Sequence, residues 1–315
     1  MPYIYYSLLL FTSLLWGGNF VVGKSLVDHA SPMTLTTLRW LIAVICLIPI
    51  VWWKERSLLL NRKAILPLVL MGASGVVLFN LFQFLSLEFT SATNVGLIST
   101  FNMFSIALFS FLFLKEKINK FQLGSMFISF MGVLLVLTKG HVEVLFSIGF
   151  NKGDLLMMAA VCIWGLYSVI SKWAMKYTTP LKATLYSGVF GVIMLIPFNV
   201  HDFTVTKVDA TFIQSILYTG VVSTVICMLL WNLAVQKIGA TTSGIFLNFN
   251  PIFTAILAYF ILGERMTWIQ GFGSLIVITG CLLFTYFKTK QVPDILHLFG
   301  EKSVTVAFVR KQLKM

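Results

Sequence analysis

The chain has 315 residues, 58% of them hydrophobic and 11% charged, and a net charge of +12. A soluble domain carries roughly 25% charged residues, so that class is excluded, and apolar runs near twenty residues along the whole length predict membrane-spanning helices. The positive charge lies between these runs, where it orients a membrane protein, so no nucleic-acid role is expected.

Ten spans are predicted, at roughly 4–23, 33–53, 64–86, 92–114, 121–138, 154–173, 181–200, 212–235, 241–262 and 268–288. The opening MPYIYYSLLLFTSLLWGG has no basic leader and no cleavage site, so it reads as an uncleaved first span. Trp16, Gly17, Gly18 and Asn19 fall in its middle. In the second span Arg39 lies seven residues beyond Pro32, roughly 10 Å below the helix end. Asn80 and Gln83 share one face of the third. Asn102 falls near mid-depth in the fourth, which closes on Glu116. Trp164, Gly165 and Tyr167 fall mid-way along the sixth, and Trp231 and Asn232 lie in the eighth. Asn250 and Pro251 fall within the ninth, which closes on Glu264.

The chain repeats itself at a shift of 148. Residues 101–117, FNMFSIALFSFLFLKEK, fall on 249–265, FNPIFTAILAYFILGER, and Trp16-Gly17, Lys24, Pro32, Pro49, Ala92-Thr93, Gly96, Gln122 and Gly132 all fall on identical residues. The expected domains are a first five-helix repeat over 1–140, a second over 149–288 and a cytoplasmic tail over 289–315. Five spans is an odd number, so the second copy enters the membrane from the opposite side and the repeats are inverted. With the N-terminus cytoplasmic, 17 of the 23 Lys and Arg fall on the inner side, 5 on the outer side, and Arg39 within a span. This bias predicts that both termini are cytoplasmic; the expected location is the plasma membrane, as a multi-pass protein.

SLLWGGNFVVGK near the start, SPMTLTTLRW opening the second span, the endings LKEK and LGER, and above all FNPIFTAILAYFILGERMTWIQGFGSLIVITG resemble EamA-type members of the drug/metabolite transporter superfamily. The resemblance covers about residues 5–288 and implies an all-α membrane fold of ten transmembrane helices in two inverted repeats. It further implies a transporter that exports a metabolite, an amino acid or a toxic compound.

The residues themselves suggest where a solute is held. Tryptophans of an interfacial belt sit at helix ends, whereas Trp16 and Trp164 sit near mid-depth, where inverted-repeat carriers bind substrate. The expected substrate site is Trp16, Asn19, Gln83, Asn102, Trp164, Tyr167, Trp231 and Asn250, with Arg39 on the outward path. Each has a packing alternative. Gly17, Gly18 and Ser13 permit close helix contact with Trp as filler, and Asn102 and Asn250 suit an interhelical bond. Arg39 either holds a substrate carboxylate or snorkels outward toward Asp28 or Glu88. Glu116 and Glu264 either relay protons or cap the helices that follow them.

No Walker loop, HExxH set or nucleophile elbow is present, so no enzyme activity, cofactor or metal is expected. The expected partners are a small-molecule substrate and the lipid bilayer. The expected function is alternating-access export, with a passive channel or lipid scramblase as the alternative and a membrane-embedded enzyme behind both.

Overall fold

A computed structural model describes residues 3–141, 151–199, 203–262 and 267–298. Among the described residues the chain is helical, and extended backbone pairs only in one isolated bridge between Ala30 and Val205. Among the described residues eight helices are long and apolar enough to cross a membrane: Pro32–Glu55, Arg62–Phe89, Asn94–Leu114, Lys120–Thr138, Lys152–Ala174, Pro180–Asn199, Ala210–Ile238 and Trp268–Lys288. The last continues to Leu298.

The first and ninth predicted spans are not single helices. The first divides at Gly18 into Tyr3–Gly17 and Asn19–Leu26. The ninth divides into Ala240–Ile245, a 3-10 turn at Phe246–Phe249, and Asn250–Leu262. Pro251 lacks an N–H and crowds the carbonyl four residues back, which accounts for the tight turn before it. The carbonyl of Phe246, within that turn, accepts from Ser13 Oγ at 2.8 Å, which ties the turn to the first helix. The first copy breaks at the same place without a proline: Ala92–Ser99 ends at Thr100, and Asn102–Phe109 resumes. There the hydroxyls of Ser99 and Thr100 bond the carbonyls of Gly96 and Leu97 in their own turn, competing with the helix ladder.

The repeat is visible in the helix starts. Pro32 and Pro180, Arg62 and Ala210, Ala92 and Ala240, Asn102 and Asn250, and Lys120 and Trp268 each stand 148 apart. Two spans carry a π-helical segment at corresponding places, Gly72–Leu78 and Tyr218–Ile226. A π turn leaves carbonyls without their usual partner, and side chains take up the role. Asn80 Nδ2 donates to Gly75 O at 2.8 Å and Val76 O at 3.0 Å, and Thr224 Oγ1 donates to Thr219 O at 2.7 Å.

The copies grip each other reciprocally. At one end of the bundle, Thr206 of the second copy bonds the carbonyls of Asp28 and His29 in the first, and Asp209 lies 3.4 Å from His29 Nε2. The shift of 148 carries 28–31 onto 176–179 and 205–209 onto 57–61, and these regions of the two copies also meet, through different residues. Thr179 bonds Glu55, Lys182 pairs with Glu55 at 3.3 Å, and Tyr186 bonds the carbonyl of Leu58. Elsewhere Gly132 and Gly273 let the Lys120–Thr138 and Trp268–Leu298 helices touch backbone to backbone, since a Cβ on Gly132 would lie 2.7 Å from Gly273 O.

One expectation is corrected here. The helix after Glu116 is capped by Asn119 in a capping box with Gln122, not by Glu116. The acid instead accepts from Thr241 of the other copy, through N at 3.3 Å and Oγ1 at 2.7 Å, at the start of Ala240–Ile245. Glu264 lies outside the described residues.

Candidate functional site

A cavity of about 50 Å³ lies among the breaks and π segments. Trp16 and Asn19 flank the Gly18 break, Arg39 and Trp40 come from the second span, and Gly75, Phe79, Asn80 and Gln83 from the third. Asn102, Trp164, Met228, Leu247 and Asn250 complete the wall. Both copies contribute, and the three asparagines that start a helix after a break, Asn19, Asn102 and Asn250, are included.

Seven of these thirteen residues carry a buried polar atom with no hydrogen-bond partner among the described residues. The donors are Arg39 Nη1, Trp40 Nε1, Gln83 Nε2 and Trp164 Nε1; the acceptors are Asn80 Oδ1, Asn102 Oδ1 and Asn250 Oδ1. An unpartnered buried polar atom costs roughly 1–3 kcal/mol. Seven together cost on the order of 10 kcal/mol if left dry, comparable to the whole net stability of a domain. The wall is therefore built to hold something polar. A cavity of about 50 Å³ admits roughly three to five waters at the volume one water needs, so a larger solute requires the walls to separate.

Arg39 is 5% exposed. Its Nε donates to Thr224 Oγ1 at 2.6 Å and its Nη2 to Ser223 Oγ at 3.1 Å. Ser223 Oγ in turn donates to Asn19 Oδ1 at 2.8 Å, and the carbonyl of Ser223 accepts from Trp16 Nε1 at 3.0 Å. The guanidinium is thus held by the π-helical segment of the second copy. It does not snorkel toward Asp28 or Glu88. Among the described residues no carboxylate pairs with it, and neutral hydroxyls leave its charge uncompensated.

The aromatic wall has a deeper layer. Trp16 and Trp164 meet edge to face, with centroids 5.6 Å apart, and Trp231 packs against both at 5.8 and 5.5 Å. Tyr167 stacks on Trp164 at 5.0 Å and shares hydrogen bonds with Asn232. Its ring fills the notch left by Gly75, where a Cβ would lie 2.2 Å from the ring.

Of the nine residues expected from the sequence, Trp16, Asn19, Arg39, Gln83, Asn102, Trp164 and Asn250 line this cavity. Tyr167 and Trp231 stand one layer behind it. The amide oxygens of Asn102 and Asn250 make no interhelical bond; that role falls to Asn248, which donates to Ser129 Oγ at 2.8 Å. Trp40, Gly75, Phe79, Asn80, Met228 and Leu247 were not expected; Asn80 was placed only on the same face as Gln83. Trp40 had a signal in its position beside Arg39. The apolar three had none in so hydrophobic a chain.

The EamA-like transporter family profile matches residues 3–138 and 151–286. This chain belongs to that family. Its similar relatives include an uncharacterized transporter of Archaeoglobus fulgidus, 31% identical over 88% of this chain and 96% of the relative. The transporter YyaM of Bacillus subtilis is 30% identical over 88% and 92%. An S-adenosylmethionine/S-adenosylhomocysteine transporter of Chlamydia muridarum is 26% identical over 90% and 92%. One solved crystal structure superposes with a TM-score of 0.72 at 18% identity, covering 90% of this chain and 97% of that one, and bears on the fold alone. The chain is a multi-pass membrane transporter.

Proposed function

We propose that this EamA-family transporter exports a small organic solute carrying an anionic group, by alternating access at the cavity between the copies. The observation that carries the reading is that seven residues lining one cavity each carry a buried polar atom without a partner, beside an arginine with which, among the described residues, no carboxylate is paired. Arg39 takes the solute's carboxylate through its free Nη1, a charge-assisted bond stronger than a neutral one. Gln83, Asn102 and Asn250 take its other polar groups, and Trp16 and Trp164 cover its apolar part. Tyr167, Trp231 and Asn19 hold these groups in position. The solutes named for the chlamydial relatives bear both an amino-acid carboxylate and a flat ring, the two features this wall is suited to.

The carrier has ten spans in two inverted five-helix repeats, over 1–140 and 149–288, and a cytoplasmic tail from 289. It sits in the plasma membrane with both termini inside. Reciprocal contacts at opposite ends of the bundle and the skew of basic residues toward one set of loops support this arrangement. Each copy adopts in turn the tilt the other has left, which exposes one site to either side. The outward direction follows the exporters the chain resembles.

The test is counterflow in proteoliposomes against a panel of amino acids, organic acids and nucleoside-bearing metabolites. Accumulation of labelled solute driven by unlabelled solute inside, restricted to carboxylate-bearing members, supports the reading. Flux without counterflow identifies a channel instead.

A further inference from the structure

At the end of the bundle that carries Glu116 lies another cavity, of about 320 Å³. Four lysines line it, Lys117, Lys172, Lys237 and Lys288, against one carboxylate, Glu116. That carboxylate is engaged by Thr241. Lys172 and Lys288 are half-buried and fixed in place. Lys172 Nζ donates to Val235 O at 3.2 Å; Lys288 Nζ donates to Ile238 O at 2.8 Å and bonds the Thr242 hydroxyl. Those carbonyls end the Cys227–Ile238 helix, whose dipole favours cations. An ammonium has three N–H donors, so Lys172 keeps two unspent and Lys288 one. Lys117 and Lys237 are exposed at the rim.

We infer that this cavity is a phosphate-binding site, taking the phosphate of an anionic lipid headgroup or of a soluble phosphate ester. Phosphate matches the site better than carboxylate because it offers more acceptor oxygens to donors arriving from several directions. Basic pockets between transmembrane helices hold anionic headgroups in this way. Phe284 and Ile118 add apolar surface to the wall, and Phe121 stacks on Phe287 with centroids 4.9 Å apart on the two helices that border it. Lys117 belongs to the first copy and the other three lysines to the second, so a bound phosphate ties the copies together at this end. The inference is independent of what the central cavity carries.

Thermal unfolding of the purified full-length protein in detergent tests it, titrated with phosphatidylglycerol, phosphatidylcholine or inorganic phosphate. Phosphatidylglycerol should raise the midpoint and phosphatidylcholine should not. Lys172→Gln/Lys288→Gln should weaken the apparent affinity roughly thirtyfold, at about 1 kcal/mol per lysine near an anionic lipid. Lys117→Gln/Lys237→Gln removes two rim charges without touching a helix cap; it should weaken binding in the same sense and keeps the test open if the first variant does not fold. Lys54→Gln/Lys63→Gln, basic residues outside the cavity wall, should bind as wild type. If phosphatidylglycerol acts and inorganic phosphate does not, a lipid is the source; if inorganic phosphate alone reproduces the shift, the source is soluble. The inference is overturned if no phosphate-bearing probe shifts the wild type, or if the cavity variants respond as wild type does. A loss of the shift in Lys54→Gln/Lys63→Gln as large as in the cavity variants also overturns it.

Discussion

Glu116 and Thr241 stand 125 residues apart and in different copies, yet one carboxylate oxygen of Glu116 accepts both the backbone N–H and the hydroxyl of Thr241. The duplicated acid therefore joins the repeats rather than starting its own next helix. Glu116→Ala should destabilise the protein by about 1–2 kcal/mol, the scale of a lost N-terminal cap. Glu116→Gln, which keeps an acceptor oxygen, should cost less. In thermal melts Thr241→Val should add little to Glu116→Ala, since both remove one interaction; full additivity would show the contact is not made.

Arg39 separates recognition from packing. Arg39→Gln should lower affinity for a carboxylate-bearing solute roughly ten- to hundredfold, the range of a charged hydrogen bond at 1.5–3 kcal/mol. Arg39→Lys keeps the charge but loses the planar fork that holds Ser223 and Thr224, so it should recover only part of that loss. Concentration dependence of uptake measures both. Unchanged affinity in both variants would remove Arg39 from the solute site.

Gly75 lets the Tyr167 ring close on the π segment. Gly75→Ala places a methyl 2.2 Å from that ring. Overpacking of this kind costs about 1–3 kcal/mol and should displace Tyr167 from Asn232, lowering the melting temperature and transport together. Tyr167→Phe, which loses only the hydroxyl, should lower stability less and leave solute affinity near wild type.

Asp209 caps the Ala210–Leu217 helix by accepting from the backbone N–H of Phe212 at 2.9 Å and pairs with Lys207 at 3.2 Å. The Phe212 N–H and then Lys207 hold its carboxyl down from 3.8 to about 2. A folded-state value below the unfolded one means the stabilisation is complete above about pH 4 and fades as the pH falls toward 2. The melting-temperature gap between wild type and Asp209→Asn should therefore shrink as the pH falls from 4 to 2. A gap that widens over that range would contradict the assignment.

How far these sites could be read in advance depends on the signal each leaves. The repeat was legible because Trp, Pro, Asn and Gln recur at one spacing in a chain where Leu and Phe carry no information. Most of the cavity wall followed, because polar and aromatic residues at mid-depth stand out against apolar neighbours. The π segments were not legible: a single extra residue in a turn leaves the apolar pattern intact, and only Gly72, Gly75 and Gly220 mark the places. The first-copy break at Thr100 lacked the proline that announces its counterpart. Nor could spacing tell that Tyr167 and Trp231 stand behind Trp164, since all three share the same depth, or that Glu116 reaches across to Thr241.

Alternating access requires one cavity to open to each side in turn. Its most direct test places a single cysteine at Gln83 in a variant lacking Cys46, Cys162, Cys227 and Cys281. A membrane-impermeant thiol reagent is then added to either side of reconstituted vesicles. The account predicts labelling from both sides, at rates that shift in opposite directions when a solute gradient is reversed, and protection by the transported solute. Labelling from one side only, or from both sides at rates that no solute changes, would contradict it.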